Sequence, residues 1–262
     1  MVSHPSYFTI VVADIEKFGQ RDNVIQNHLR KAFYRVTQES FEAAGVSWAT
    51  VQVGDRGDGA LFLVPAEVPK AQLVDAFVSH IHMSLSHHNR QSSSSAQMRM
   101  RLAIHAGEVT LDENGRSGGD TVTACRLVDS DVSRACLSAA VRAHLVLIVS
   151  ASIYQGTVRH GHGAIDPDTY APVHVAVKEL ADRAWVHVPG YSTPPVPAEA
   201  HAPEVVPAGG QAPETTPTGP QPPPADQPQG TVWVHTVEGD FIYGTQIKLT
   251  PQSPPRDPDG RP

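Results

Sequence analysis

Residues 54–59 read Gly-Asp-Arg-Gly-Asp-Gly and separate two β-rich runs, 51–53 (VQV) and 60–64 (ALFLV). Glycine tolerates positive φ and aspartate favours turns, so these runs predict a β-hairpin whose tip carries the carboxylates of Asp55 and Asp58. Upstream, residues 7–13 (YFTIVVA) are too few for a helix and rich in β-branched and aromatic side chains. They predict a buried strand with Asp14 at its C-terminal end. Between strand and hairpin, apolar residues recur at helical spacing from Val24 through Ile25, Leu29, Ala32, Phe33 and Val36, with Gly45 as the stop.

Downstream, Pro65 and Pro69 frame the entry to a second helix, whose apolar face is Leu73, Val74, Phe77, Val78, Ile81 and Leu85 and which ends near His88. Residues 92–95 form a polar loop. The segment 98–105 (MRMRLAIH) alternates apolar with basic residues and resumes at 109–111 after Ala106-Gly107, predicting a strand pair or one bent strand. A loop is expected over 112–119, helices over 121–128 and 133–143, a strand over 145–149, a short helix over 151–158, and strands over 173–177 and 184–188. This order is mixed α/β with long-range pairing rather than a regular βαβ repeat. It predicts an α+β fold, a ferredoxin-like mixed or antiparallel sheet covered by helices.

Composition narrows the function classes. A net charge of −7 without a Lys/Arg run argues against a nucleic-acid partner. Two cysteines, Cys125 and Cys136, cannot build a disulfide framework and lack metal-site spacing, so they read as small buried side chains in a reducing compartment. No leader pattern and no bilayer-length apolar run are present. The expected location is the cytoplasm, with no membrane partner.

If the sheet sets Asp14 beside the hairpin tip, repulsion between Asp14 and Asp58 favours a divalent cation, and Mg²⁺ characteristically takes one or two carboxylates together with substrate phosphates. The competing reading makes Asp14 a cap and Asp58 an ordinary turn residue. Asp55 and Arg56 could touch phosphate, or pair with each other in an exposed turn. His80, His82, His87 and His88 cluster on and after the second helix; a solvated face explains them better than zinc, since no matching Cys/His set occurs elsewhere. His105 reads as a satisfied structural histidine.

Four strings occur in order: VVADIEKF (11–18), DRGDGALFLV (55–64), RLAIHAGEV (101–109) and ACRLVDS (124–130). Together they resemble the catalytic domain of class III nucleotide cyclases over residues 5–190, and DRGDG with AIHAGEV resembles a group of actinobacterial cyclase-homology proteins. The resemblance implies that Asp14 and Asp58, with the backbone carbonyl of Ile15, hold two Mg²⁺ or Mn²⁺ ions. The substrate would be a nucleoside triphosphate, cyclised between its ribose 3′-hydroxyl and α-phosphate with loss of pyrophosphate, and Arg126 would stabilise the transition state. It further implies a C2 homodimer, with the metal carboxylates of one protomer facing the arginine of the other.

The chain departs from that pattern at the substrate-binding positions. Val122 stands where a ribose-orienting asparagine is expected, four residues before Arg126, and valine has no hydrogen-bonding group. Thr121 or Thr123 could substitute if the helix register shifts. Gly54 stands where a base-reading lysine is expected, four residues before Asp58, and the second base-reading position falls near Gly115. The resemblance therefore leaves two functions: a cyclase, slowed by the loss of an oriented donor, or a catalytically degraded module that binds nucleotide or protein.

The C-terminal region is different in kind. Of the 23 prolines, 12 fall in residues 191–230, which hold hardly a large apolar side chain and predict a disordered linker after a 1–190 domain. Residues 231–250 (TVWVHTVEGDFIYGTQIKLT) are a β-rich island too short for its own core, expected to dock on a sheet edge, to capture an effector protein or to stack as cross-β. The string VEGDFIYGTQI somewhat resembles short amyloid signalling motifs of bacterial conflict systems. Residues 251–262 read as a disordered tail.

Overall fold

The computed structural model describes residues 4–113 and 115–200. The expected linker beyond residue 200, the 231–250 island and the 251–262 tail lie outside the described residues.

Strand β1 (Ser6–Ile15) is followed by helix α1 (Asn23–Ala43) and the hairpin β2 (Gln52–Asp55) and β3 (Gly59–Pro65). A short helix α2 (Lys70–Gln72), a π turn over Leu73–Phe77 and helix α3 (Val78–Gln91) then follow without a break. Next come β4 (Met100–Asp112), β5 (Gly115–Ser117), α4 (Gly119–Val128), α5 (Asp131–Ala139), β6 (Leu145–Ser150), α6 (Ala151–Gly156), β7 (Ala171–Val177) and β8 (Leu180–His187). The main sheet runs β2-β3-β1-β4-β6-β8-β7, with β5 paired to β4 off this path. The β4–β6 pair is parallel and the others antiparallel, so the sheet is mixed.

The central strands are buried on both faces, which explains their unbroken apolar runs. Along β1 the pleat sends Val11, Ala13 and Ile15 to one core with Leu29 and Phe33 of α1 and Ile81 and Leu85 of α3. It sends Ile10 and Val12 to the other, with Leu127 of α4 and Leu137 of α5. Each such fully buried aliphatic side chain contributes roughly 1.5–3 kcal/mol. At the start of α1, Asp22 caps with its carboxylate accepting from the Ile25 N–H at 2.9 Å, and Gly45 follows the helix at φ +76°.

Of the two alternatives for the 98–111 region, the structure has one strand, β4, because its core-facing residues are buried on both faces and Gly107 permits close approach instead of a break. Two segments differ from the sequence expectation. Within the expected 112–119 loop, β5 pairs Thr110 with Ser117 and Asp112 with Gly115. Its polar residues have no apolar periodicity to betray a strand. Residues 191–200, assigned to a linker by composition, pack on the domain: Tyr191, Val196 and Ala200 join the second core, and the Cys136 thiol meets the Pro195 carbonyl at 3.4 Å.

Candidate functional site

The sheet brings Asp14 and Asp58 together. Asp14 pairs in register with Gly59 of β3, and the Ile15 N–H donates to the Asp58 carbonyl at 3.0 Å. Gly59 has ordinary backbone torsions, but an added Cβ would overlap the Ala13 carbonyl, so the missing side chain is what lets the strands close here. On its other side Asp14 faces Arg101 of β4, whose guanidinium donates to Oδ2. Asp14 Oδ1 is buried without a hydrogen-bond partner. Burial raises the Asp14 carboxyl above the usual aspartate range; Arg101 opposes the shift, and the Asp58 charge adds to it.

An orphaned anionic oxygen beside a second carboxylate fits one divalent cation. A second ion sharing Asp14 would have to compete with Arg101 for Oδ2. No cluster of three or more His, Cys, Asp or Glu side chains suited to a metal occurs among the described residues, so phosphate or water oxygens would complete the coordination.

The hairpin tip is clamped from outside. Asp55 does not pair with Arg56. It takes Arg30 of α1, which also donates to the Gly57 carbonyl at 2.6 Å, and accepts the Gly57 N–H at 2.6 Å. The Arg30 hydrogen bond, helped by Gly57, holds the Asp55 carboxyl well below the usual range. Arg56 reaches across to Asp129 at the end of α4, at 3.0 Å. Asp55 is thereby committed to the turn, whereas Arg56 stays on the wall of a groove.

That groove, about 860 Å³, lies between β2–β3 and α4. It gathers Gly54, Asp55, Arg56, Val122 and Arg126 from the expected residues, and adds Arg116, Cys125, Asp129 and Lys178; Asp14 and Asp58 do not line it. Val122 is 45 % exposed, an apolar side chain presented to solvent. Thr121 also lines the groove, with its hydroxyl donated to the Gly118 carbonyl at 2.7 Å, while Thr123 does not line it. Arg126 forms an ion pair with Glu179, at the two-residue turn between β7 and β8. Burial raises the Cys125 thiol despite the neighbouring Arg56.

His105 pairs with Asp120 at 3.1 Å, and Asp120 also accepts the Glu108 N–H at 2.7 Å. An added Cβ at Gly107 would overlap the Asp120 carboxylate, so the AIHAGEV string is shaped by this helix-to-strand anchor. His88 Nε2 lies 3.0 Å from the Ala96 carbonyl, a structural role.

The sequence reading missed Arg101, Arg116, Asp129, Lys178 and Glu179. For Arg101 a signal existed: a basic residue inside an apolar, centrally paired strand requires a buried carboxylate. The other four depend on contacts between distant segments.

No protein-family model matches this chain, and no curated protein does. Solved structures do. An adenylate/guanylate cyclase/hydrolase from Silicibacter pomeroyi is 17 % identical with a TM-score of 0.53, over 72 % of this chain and 100 % of that one. The guanylyl cyclase Cya2 is 15 % identical with a TM-score of 0.50, over 78 % of this chain and 98 % of that one. The described domain therefore has the fold of nucleotide cyclase catalytic domains, a mixed α/β sheet covered by helices.

Proposed function

We propose that the protein is a divalent-cation-assisted nucleotide cyclase, converting a nucleoside triphosphate to its 3′,5′-cyclic nucleotide and pyrophosphate in bacterial signalling or defence. The observation that carries this reading is the buried, unpartnered Oδ1 of Asp14 beside Asp58. A cation there, Mg²⁺ or Mn²⁺, would offset triphosphate charge and acidify the ribose 3′-hydroxyl. Arg101 holds the Asp14 carboxylate in place and favours its ionised form. Arg126 supplies a guanidinium to the α-phosphate as charge builds there, and Arg56 adds positive charge from the facing hairpin.

Asp14 and Asp58 do not line the groove that Arg126 lines. This separation supports a C2 homodimer in which the carboxylates of one protomer face Arg126 of the other. Residues 231–250 would couple the domain to an effector protein. The DRGDG string supports a place among actinobacterial cyclase-homology proteins.

Arg101 on Oδ2 and the exposed Val122 favour a second reading, a catalytically degraded module that binds nucleotide and works as an adaptor. Incubating the full chain with each of the four NTPs and Mn²⁺ or Mg²⁺, followed by mass spectrometry, separates the two. Cyclic product that disappears in Asp58→Ala supports the cyclase. Nucleotide binding without product supports the adaptor.

A further inference from the structure

The groove beside α4 is graded along its length. Val122 and Arg126 are four residues apart on one helix, hence on one face and about 6 Å apart along the axis. Around Arg126 the groove is lined by charged side chains, with Lys178 beside it and Arg56 and its partner Asp129 facing each other across the groove. At the Val122 end, nearer the helix N-terminus, β5 delivers Arg116.

Arg116 and Gly54 fit each other. Gly54 does not adopt positive φ, so the position exploits the lack of a side chain and not backbone freedom. An added Cβ there would overlap the Arg116 guanidinium. The guanidinium occupies the space a side chain at position 54 would take, and is anchored on the carbonyls of Val53 at 3.0 Å and Leu61 at 3.3 Å. Its remaining N–H groups have no acceptor role to play, because arginine only donates. The result is a fixed donor array beside the apolar side chains of Val53, Leu61 and Val122. A phosphate there would lose water to apolar walls. A flat heterocycle would bury its faces against them and offer its edge to the arginine.

Building on the nucleotide reading above, we infer that Arg116 is a specificity-determining residue that selects bases with an oxo group at purine C6 or pyrimidine C4, guanine or uracil, over adenine and cytosine, which carry an amino group there. Guanine presents O6 and N7 as adjacent acceptors, and uracil presents carbonyl oxygen where cytosine presents an amino group. Adenine and cytosine would each turn an amino donor toward a guanidinium that can only donate. The Gly54 position thus loses no base contact; the contact comes from another strand.

The test is calorimetric titration of the full chain with non-cyclisable analogues of GTP, UTP, ATP and CTP in the presence of Mn²⁺. The expected result is that the guanine and uracil nucleotides bind at least about tenfold more tightly than the adenine and cytosine ones. Arg116→Gln should bring that ratio close to one. Gly54→Ala should do the same by displacing Arg116, and the melting temperatures of both variants verify folding. Equal affinities for all four nucleotides in the wild type overturn the inference. So does an Arg116→Gln variant that weakens all four uniformly, which would make Arg116 a phosphate counter-charge while leaving the nucleotide reading intact. Failure of every nucleotide to bind would remove both.

Discussion

Arg101 and Asp14 face each other across the β1–β4 pair, and the guanidinium holds one carboxylate oxygen while the other is buried without a partner. Both side chains are nearly enclosed, at 12 % and 9 % exposure. Removing one member of such a pair strands the other's charge in a low-dielectric site, which costs about 3–5 kcal/mol. Arg101→Ala should lose stability of that order in urea denaturation, and Arg101→Lys should recover part of it. A loss below about 1 kcal/mol would show that water reaches the carboxylate.

Asp58 adds like charge to Asp14. Asp58→Asn should therefore leave the cation-free protein as stable or slightly more so, by up to about 1 kcal/mol, since trading function for stability at strained charge clusters is common. The same variant should weaken Mn²⁺ binding at least about tenfold, measured by electron paramagnetic resonance. Unchanged Mn²⁺ affinity would count against this pair as the cation site.

The pH dependence follows from the raised Asp14 carboxyl. Folding favours its protonated form relative to the unfolded chain, so this group's contribution is fully present below the ordinary aspartate value of 3.8 and is lost as pH rises through the folded value. Cation binding runs oppositely, because it needs the carboxylate. Mn²⁺ affinity should fall on acidification at a higher pH than for an ordinary aspartate site, and Asp14→Asn should abolish that dependence.

Glu179 is largely exposed, with a side chain at 79 %, so its pair with Arg126 is screened by solvent. Glu179→Gln should leave the melting temperature unchanged and raise triphosphate affinity roughly two- to fivefold by freeing Arg126. Equal affinity in isothermal titration would mean that Arg126 does not meet the phosphates.

At Gly59 the constraint is contact with the Ala13 carbonyl. Gly59→Ala forces β1 and β3 apart where Asp14 and Asp58 meet, and should cost about 3 kcal/mol, the upper range for overpacking. Chemical denaturation measures it. Gly57→Ala, at φ +89° with open space around it, serves as the comparison for strain without a clash.

The sequence alone determined the strands of the main sheet, the two long helices and the placement of Asp14 at a strand end and Asp58 at a hairpin tip. Those features rest on local periodicity and on turn residues, which are written in neighbouring positions. It also pointed to the fold that the solved cyclases share with this domain. Tertiary structure decided which charges meet. Asp55 took Arg30 instead of Arg56, Arg56 took Asp129, and Arg116 filled the space above Gly54. Each of these partners is at least 25 residues away in the chain and is brought close only by strand register and helix packing. Such long-range pairing leaves no periodic trace, so Gly54 and Val122 read as losses in the sequence, whereas in the folded protein both line one groove.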